Sequence, residues 1–112
     1  MDTPLHLQHC RPLRGEANRI PAELIDELLK RLDGWRVSTD RQSLQKTVPF
    51  NDYYQTLAFV NALGFMAHRE DHHPDLGVHY NRCEIGYSTH DVGGLSMNDF
   101  ICAAKVDALL GG

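Results

Sequence analysis

Hydrophobic residues alternate between helical and strand spacing along the chain, which predicts helices separated by pairs of short strands. A first helix is predicted over 20–32, where apolar residues recur at helical spacing: Ile20, Leu24, Leu28 and Leu32. Residues 35–39 and 43–50 predict two short strands across a polar turn. Pro49 is expected to end the second of these strands or to place it at a sheet edge.

A long helix is predicted over 52–71, with Asn51 as its N-cap. Its apolar positions are so numerous that it must be largely buried against a sheet. Pro74 disfavours the helical conformation for the residue before it, His73, so the helix should end near His72.

A second strand pair is predicted over 77–80 and 83–90, and the short link between them favours antiparallel pairing. A final helix should begin at Ser96, with Asp99 completing a capping box. The expected fold class is α+β, a four-stranded antiparallel sheet with three helices packed on one face, in the order α-β-β-α-β-β-α.

Composition narrows the class of protein. The 112 residues carry 42% hydrophobic side chains, which suits one globular domain, expected over 20–112 after a loosely ordered lead-in over 1–19. A net charge of −4 and scattered basic residues argue against a nucleic-acid partner. No apolar run approaches the roughly 18 residues of a membrane span, and no signal peptide is evident. Three cysteines without a CxxC pair fit a reducing compartment, so we expect a cytoplasmic protein.

Five of the seven histidines lie between His68 and Asp91, which raises the question of a metal site. His68 and His72 are four residues apart on a helix, a spacing that can chelate zinc. A third ligand could come from His79, His90, Asp71 or Asp91. The chain has no HExxH motif, and the rings of adjacent histidines point in different directions. We therefore disfavour a metal and expect no cofactor.

General acid–base chemistry is the second interpretation of these histidines. Imidazole exchanges protons near neutral pH, since its ordinary pKa is about 6.5. His72 and His73 lie where a helix ends and His90 lies at the predicted end of a strand, so the three rings could surround one concavity. No obvious nucleophile is present, since Cys83 is expected to pack in the core. The residues alone leave two alternatives open, a metal-independent acid–base enzyme and a binding module whose histidines are structural.

A longer pattern resembles the signature of the pterin-4a-carbinolamine dehydratases. The pattern is a histidine pair followed by proline, then an aromatic residue, a third histidine and an aspartate at fixed offsets. In this chain these residues are His72-His73-Pro74, Tyr80, His90 and Asp99. The segment "THDVGGLSMNDF" and Gly34-Trp35 are also similar to the family, so the resemblance covers about residues 20–110.

The resemblance implies dehydration of 4a-hydroxytetrahydropterin to quinonoid dihydropterin, the step that recycles tetrahydrobiopterin after aromatic amino-acid hydroxylation. By similarity the catalytic residues are His72, His73 and His90, with His72 and His90 as the acid–base pair at the 4a-hydroxyl and His73 orienting the pterin. The same similarity implies two strips of substrate contacts, which are Asp71, His72 and His73, and Ser88, Thr89, His90 and Asp91.

Supporting roles are expected for Asp99, His68 and Trp35. Asp99 could equally serve only as the capping partner of Ser96, and a lone tryptophan is more often a core residue. His68 occupies a position that is often glutamate in the family, so we expect the neighbouring histidine to titrate differently here. His79 is expected to lie outside the site.

The partners implied are a small-molecule pterin, a second copy of the chain in a homodimer or homotetramer, and a functional link to an aromatic amino-acid hydroxylase. The open edges of a four-stranded sheet agree with self-association. Some members of the family act instead as dimerisation cofactors of a transcription factor. A non-enzymatic interaction module is therefore the alternative function.

Overall fold

The computed structural model describes residues 3–111, which form three α-helices and one antiparallel sheet. The helices are α1 (Ala22–Leu29), α2 (Tyr53–Glu70) and α3 (Met97–Leu109), and the strands are β1 (Arg36–Val37), β2 (Leu44–Pro49), β3 (Asp75–Val78) and β4 (Arg82–Tyr87). The predicted order α-β-β-α-β-β-α and the α+β class are confirmed. No helix within residues 3–111 is long and apolar enough to cross a membrane.

The sheet has the strand order β1-β2-β4-β3, and every neighbouring pair is antiparallel. Strands β2 and β4 form the centre, where Leu44 lies opposite Tyr87 and Val48 lies opposite Cys83. These four side chains are buried and alternate with more exposed positions, so one face of the sheet supports the helices. Pro49 is the last residue of β2, as predicted.

Helix α3 is buried along most of its length because it lies between the sheet and the N-terminal segment. Ser96 caps it, and the predicted capping box with Asp99 is confirmed. The N-terminal segment forms short 3₁₀ turns at Leu5–Leu7 and Glu16–Asn18, and Leu5 is buried in the core. The loosely ordered lead-in over 1–19 stays a prediction, and Met1, Asp2 and Gly112 lie outside the described residues.

Two boundaries differ from the prediction in ways that matter for the site. Asp52, not Asn51, caps α2, because its carboxylate accepts a hydrogen bond from the Gln55 N–H at 2.9 Å. Strand β4 ends at Tyr87, and His90 begins a 3₁₀ turn that runs to Val92. His90 is therefore on a turn, not at a strand end, because Gly93, with φ 73°, supplies the left-handed residue that closes the turn.

A carboxylate near the end of α3, that of Asp107, ties three parts of the fold together. Its Oδ1 accepts hydrogen bonds from Trp35 Nε1 at 2.9 Å and from Lys46 Nζ at 2.8 Å. Its Oδ2 accepts from the Asp33 N–H at 2.9 Å. The side chains of Lys46 and Asp107 are only 12% and 11% exposed, so losing one partner leaves the other poorly solvated.

We expect the substitution Asp107→Asn to lower the free energy of unfolding by roughly 1–3 kcal/mol, since it leaves the Lys46 ammonium without its counter-charge. Urea denaturation at neutral pH measures this difference. Asp26→Asn is the matched control, because the ion pair of Asp26 with Arg41 has an N–O distance of 3.5 Å and the Asp26 side chain is 70% exposed to solvent. A change below about 0.5 kcal/mol is expected for the control, and equal effects would contradict the role given to Asp107.

Candidate active site

Among the predicted site histidines, His72 has the side chain held by the most contacts with the rest of the protein. It follows Asp71, which ends α2 in a left-handed conformation with φ 53°, and its own N–H donates to the Ala67 carbonyl at 3.2 Å. The ring is 13% exposed, and its Nε2 lies 2.7 Å from Asp99 Oδ1. One ring face stacks on Tyr87 with centroids 5.6 Å apart and planes inclined by 16°. The hydrogen bond at the ring edge and the stacking on the ring face together fix the orientation of the His72 imidazole.

Asp99 is completely buried and divides its two carboxylate oxygens between two tasks. Oδ1 faces His72, while Oδ2 accepts the Ser96 N–H at 2.9 Å and the Thr89 hydroxyl at 2.7 Å. The two roles considered for Asp99, helix capping and contact with a site histidine, are therefore filled by the same side chain.

A small ring of hydrogen bonds holds Asp99 in place. The Asp99 N–H donates to Ser96 Oγ within the capping box. Ser96 Oγ lies 2.7 Å from Thr89 Oγ1, which itself donates to Asp99 Oδ2. Because Thr89 donates to the carboxylate, the Ser96 hydroxyl must be the donor between these two. Thr89 is buried, and its hydroxyl is committed to this ring.

The carboxylate changes the proton affinity of His72. Burial by itself lowers the pKa of His72, but the hydrogen bond to Asp99 and the negative charge of that carboxylate outweigh burial, so the pKa lies above its ordinary value. Since Nε2 donates to Asp99, the nitrogen that gains or loses a proton is Nδ1.

A cavity of about 400 Å³ opens beside His72. One wall is the end of α2 with Asp71, and another is formed by Thr89 and Asp91. A third wall is the segment 9–15, which we call the strap, and the strap residues that line the cavity are Cys10, Arg11, Pro12, Leu13 and Arg14. The predicted contacts Asp71, His72, Thr89 and Asp91 thus line one cavity.

The other predicted contacts lie elsewhere. Ser88 and His90 line a neighbouring cavity of about 340 Å³, which shares Thr89 with the first. The His90 side chain is fully exposed, with Nδ1 3.9 Å from Asp91 Oδ1. His73 is exposed and lines neither cavity. The structure therefore places His72, His73 and His90 in different surroundings, although all three are reachable from solvent.

The expected supporting residues also differ in position. Trp35 is buried, and its ring packs on Tyr87 with centroids 6.3 Å apart, so it touches the residue beneath His72 and lines neither cavity. His68 is exposed on α2. His79 lies 3.3 Å from Glu84, away from the His72 cavity.

The strap and Tyr87 were not predicted as parts of the site. The strap is anchored through Glu70, which accepts the Cys10 N–H at 2.7 Å, and through Asn98, which exchanges two hydrogen bonds with the Arg11 backbone at 3.2 and 2.7 Å. Anchoring of this kind uses backbone groups and needs no hydrophobic period, so the sequence carries no signal for it.

Comparison with known proteins places this chain in a family. The model of the family described as pterin 4 alpha carbinolamine dehydratase matches residues 18–109. The chain belongs to this family. It is 56% identical over 106 residues to a protein of Stenotrophomonas maltophilia provisionally named pterin-4-alpha-carbinolamine dehydratase, covering 95% of this chain and 91% of that protein. A protein of Xanthomonas campestris pv. campestris with the same provisional name is also 56% identical, over 95% of this chain and 90% of its own.

Two solved structures share the fold. One is described as a transcriptional coactivator/pterin dehydratase from Brucella melitensis, with a TM-score of 0.79 and 29% identity over 82% of this chain and 98% of that one. The other is described as a pterin dehydratase-like protein that is a RuBisCO assembly factor in the alpha-carboxysome, with a TM-score of 0.62 and 28% identity over 71% of this chain and 93% of that one. Family members thus carry descriptions that include roles other than dehydration.

The contact between His72 and Asp99 predicts the outcome of an NMR titration. Asp99→Asn removes the charge that outweighs burial, so the pKa of His72 should fall. Asp91→Asn is the control, because Asp91 lines the same cavity but is not hydrogen-bonded to His72. An unchanged His72 titration in Asp99→Asn would contradict the assignment.

The raised pKa also predicts a pH dependence of stability. A histidine whose folded-state pKa is raised stabilises the fold fully below its unfolded pKa of about 6.5, and this contribution is lost as pH rises through the folded pKa. The loss of unfolding free energy in His72→Gln should therefore be larger near about pH 5.5 than near about pH 8.5, measured by urea denaturation. A loss that grows with pH would have the wrong sign.

Proposed function

We propose that the chain dehydrates 4a-hydroxytetrahydropterins to quinonoid dihydropterins and water by histidine acid–base catalysis. The observation that carries the proposal is the His72–Asp99 pair, 2.7 Å apart at the edge of a cavity of about 400 Å³, in a chain of the pterin carbinolamine dehydratase family. A fixed imidazole with a raised pKa is a suitable proton donor near neutral pH.

The reaction needs two proton transfers. The C4a–O bond breaks as the hydroxyl takes a proton and leaves as water, while the N5 lone pair forms the new C=N bond. A ring N–H then loses its proton, so that the product is neutral. The His72 Nδ1–H is suited to the first transfer, because Nε2 stays hydrogen-bonded to Asp99 throughout. No metal or cofactor is required, since the leaving group is expelled by the substrate's own nitrogen.

His90 and His73 enter the proposal by resemblance, as the second proton carrier and as a pterin contact. Their exposure leaves both rings free to meet a substrate. Asp71 and Asp91 line the cavity and can accept hydrogen bonds from pterin N–H groups. Ser88 is proposed as a contact on the His90 side.

The physiological setting is also a proposal. We place the chain in the cytoplasm, in the recycling of tetrahydrobiopterin used by an aromatic amino-acid hydroxylase. Self-association into a homodimer or homotetramer is supported by strand β3, which is at the sheet edge and has Leu76 and Val78 37% and 40% exposed.

The test is a spectroscopic assay of carbinolamine dehydration with purified variants. His72→Ala should lower kcat/KM by about 10²- to 10⁴-fold, as expected for loss of a general acid. His90→Ala should lower it as well. His79→Ala is the matched control, because this histidine lies away from the His72 cavity, and it should retain wild-type turnover. Wild-type rates in both His72→Ala and His90→Ala would refute the enzymatic proposal.

A non-enzymatic interaction module is the second candidate. It is favoured by the exposure of aromatic residues on α2, where Tyr54 is 81% and Phe65 67% exposed, and by the coactivator description of the Brucella melitensis protein. This candidate predicts no turnover by the wild-type chain, so the same assay separates the two.

A further inference from the structure

Two cysteine thiols face each other beside the proposed active site. Cys10 in the strap and Cys102 in α3 are 92 residues apart in the chain, yet their Sγ atoms are 3.4 Å apart. Cys102 is one turn of helix after Asp99 and is fully buried, whereas Cys10 is only partly buried. The pair therefore connects the wall of the cavity to the helix that carries Asp99.

We propose that Cys10 and Cys102 are an oxidisable dithiol, which a hydroperoxide converts to a disulfide that fastens the strap across the site. The sulfur atoms need to approach by only about 1.4 Å to reach the disulfide bond length. The third cysteine, Cys83, is completely buried on β4 and has no cysteine partner among residues 3–111.

The surroundings of the pair favour the reaction. A hydrogen bond from the Cys10 thiol lowers the pKa of Cys102, whereas the same contact and burial raise the pKa of Cys10, so Cys102 is the member of the pair that forms a thiolate more readily. Cys10 is the more exposed member, so an oxidant reaches the pair from the strap side. Neither thiol contributes to the proton transfers of the proposed reaction, so their juxtaposition is not explained by it.

The chemistry balances with a hydroperoxide as oxidant. One thiolate attacks the O–O bond, forming a sulfenic acid and releasing an alcohol, or water in the case of hydrogen peroxide. The second thiol then attacks the sulfenic sulfur, so that the S–S bond forms, the S–O bond breaks and the hydroxyl leaves as water. In total the two thiols lose two protons and two electrons, and the peroxide gains them.

Fastening the strap changes the cavity wall. In the reduced protein the strap is held by noncovalent contacts, including those of Glu70 with Cys10, Asn98 with Arg11, and the Asp91 carbonyl with the Gly15 N–H at 2.9 Å. Such contacts open locally at a modest cost, whereas a disulfide removes that opening. A strap that cannot move restricts entry of a ligand to the His72 cavity. This regulatory consequence rests on the proposed function, whereas the cross-link itself does not.

The experiment treats the full-length protein with hydrogen peroxide, quenches it and maps its peptides by mass spectrometry with and without dithiothreitol. We expect an intramolecular Cys10–Cys102 link, a mass lower by about 2 Da and one remaining free thiol, that of Cys83. Cys83→Ser should form the same link, whereas Cys10→Ser and Cys102→Ser should not. Hydrogen exchange of the strap amides should slow at least about tenfold on oxidation and recover on reduction.

The possible results separate cleanly. Three free thiols after oxidation, a link through Cys83 or only intermolecular links would overturn the proposal, and the peptide map of the wild-type chain decides this even where a variant fails to fold. Unchanged exchange in the cross-linked protein would overturn the fastening of the strap. A several-fold, dithiothreitol-reversible loss of pterin turnover is expected, and equal turnover would refute regulation. Absence of turnover in the reduced protein would refute the proposed function and leave the cross-link intact.

Discussion

The carboxylate of Asp99 is the constraint on which the site depends. It is completely buried, and a buried carboxylate is tolerated only where its oxygens are hydrogen-bonded. Ser96 and Thr89 bind one oxygen, and His72 binds the other. The start of α3, the turn after β4 and the end of α2 are thereby joined at a single group. We therefore expect a change in any of these elements to alter the position or the proton affinity of His72.

Helix α3 connects the Asp99 carboxylate to the rest of the core. Its first turn carries Asp99, and Asp107 near its end accepts hydrogen bonds from Trp35 and Lys46. Trp35 packs on Tyr87, and Tyr87 stacks on His72. The two buried carboxylates of one helix therefore support the same histidine, one by direct contact and the other through two aromatic rings. The core and the candidate site share these contacts, so the same substitutions should change both the stability of the fold and the proton affinity of His72.

The family resemblance and the local geometry carry different parts of the functional argument. Membership of the pterin carbinolamine dehydratase family supports the substrate class, but the solved relatives include one described as an assembly factor, so family alone does not decide activity. The geometry supplies a proton carrier with a fixed tautomer in a cavity of suitable size. The N-terminal strap adds a further wall to this cavity. The contact between Cys10 of the strap and Cys102 of α3 is the basis of the proposed redox control, which does not involve the histidines.

Sequence alone determined the order of elements, the capping box of α3 and the grouping of His72 with the family signature, because hydrophobic periods, caps and short motifs are local properties. It misplaced His90 on a strand end, because the 3₁₀ turn depends on a left-handed Gly93 that no pattern specifies. Only the tertiary structure decided that Asp99 both caps α3 and contacts the histidine, and that the strap forms a wall of the cavity. Both depend on residues far apart in the chain, whose contacts are set by packing and buried hydrogen bonds and not by spacing.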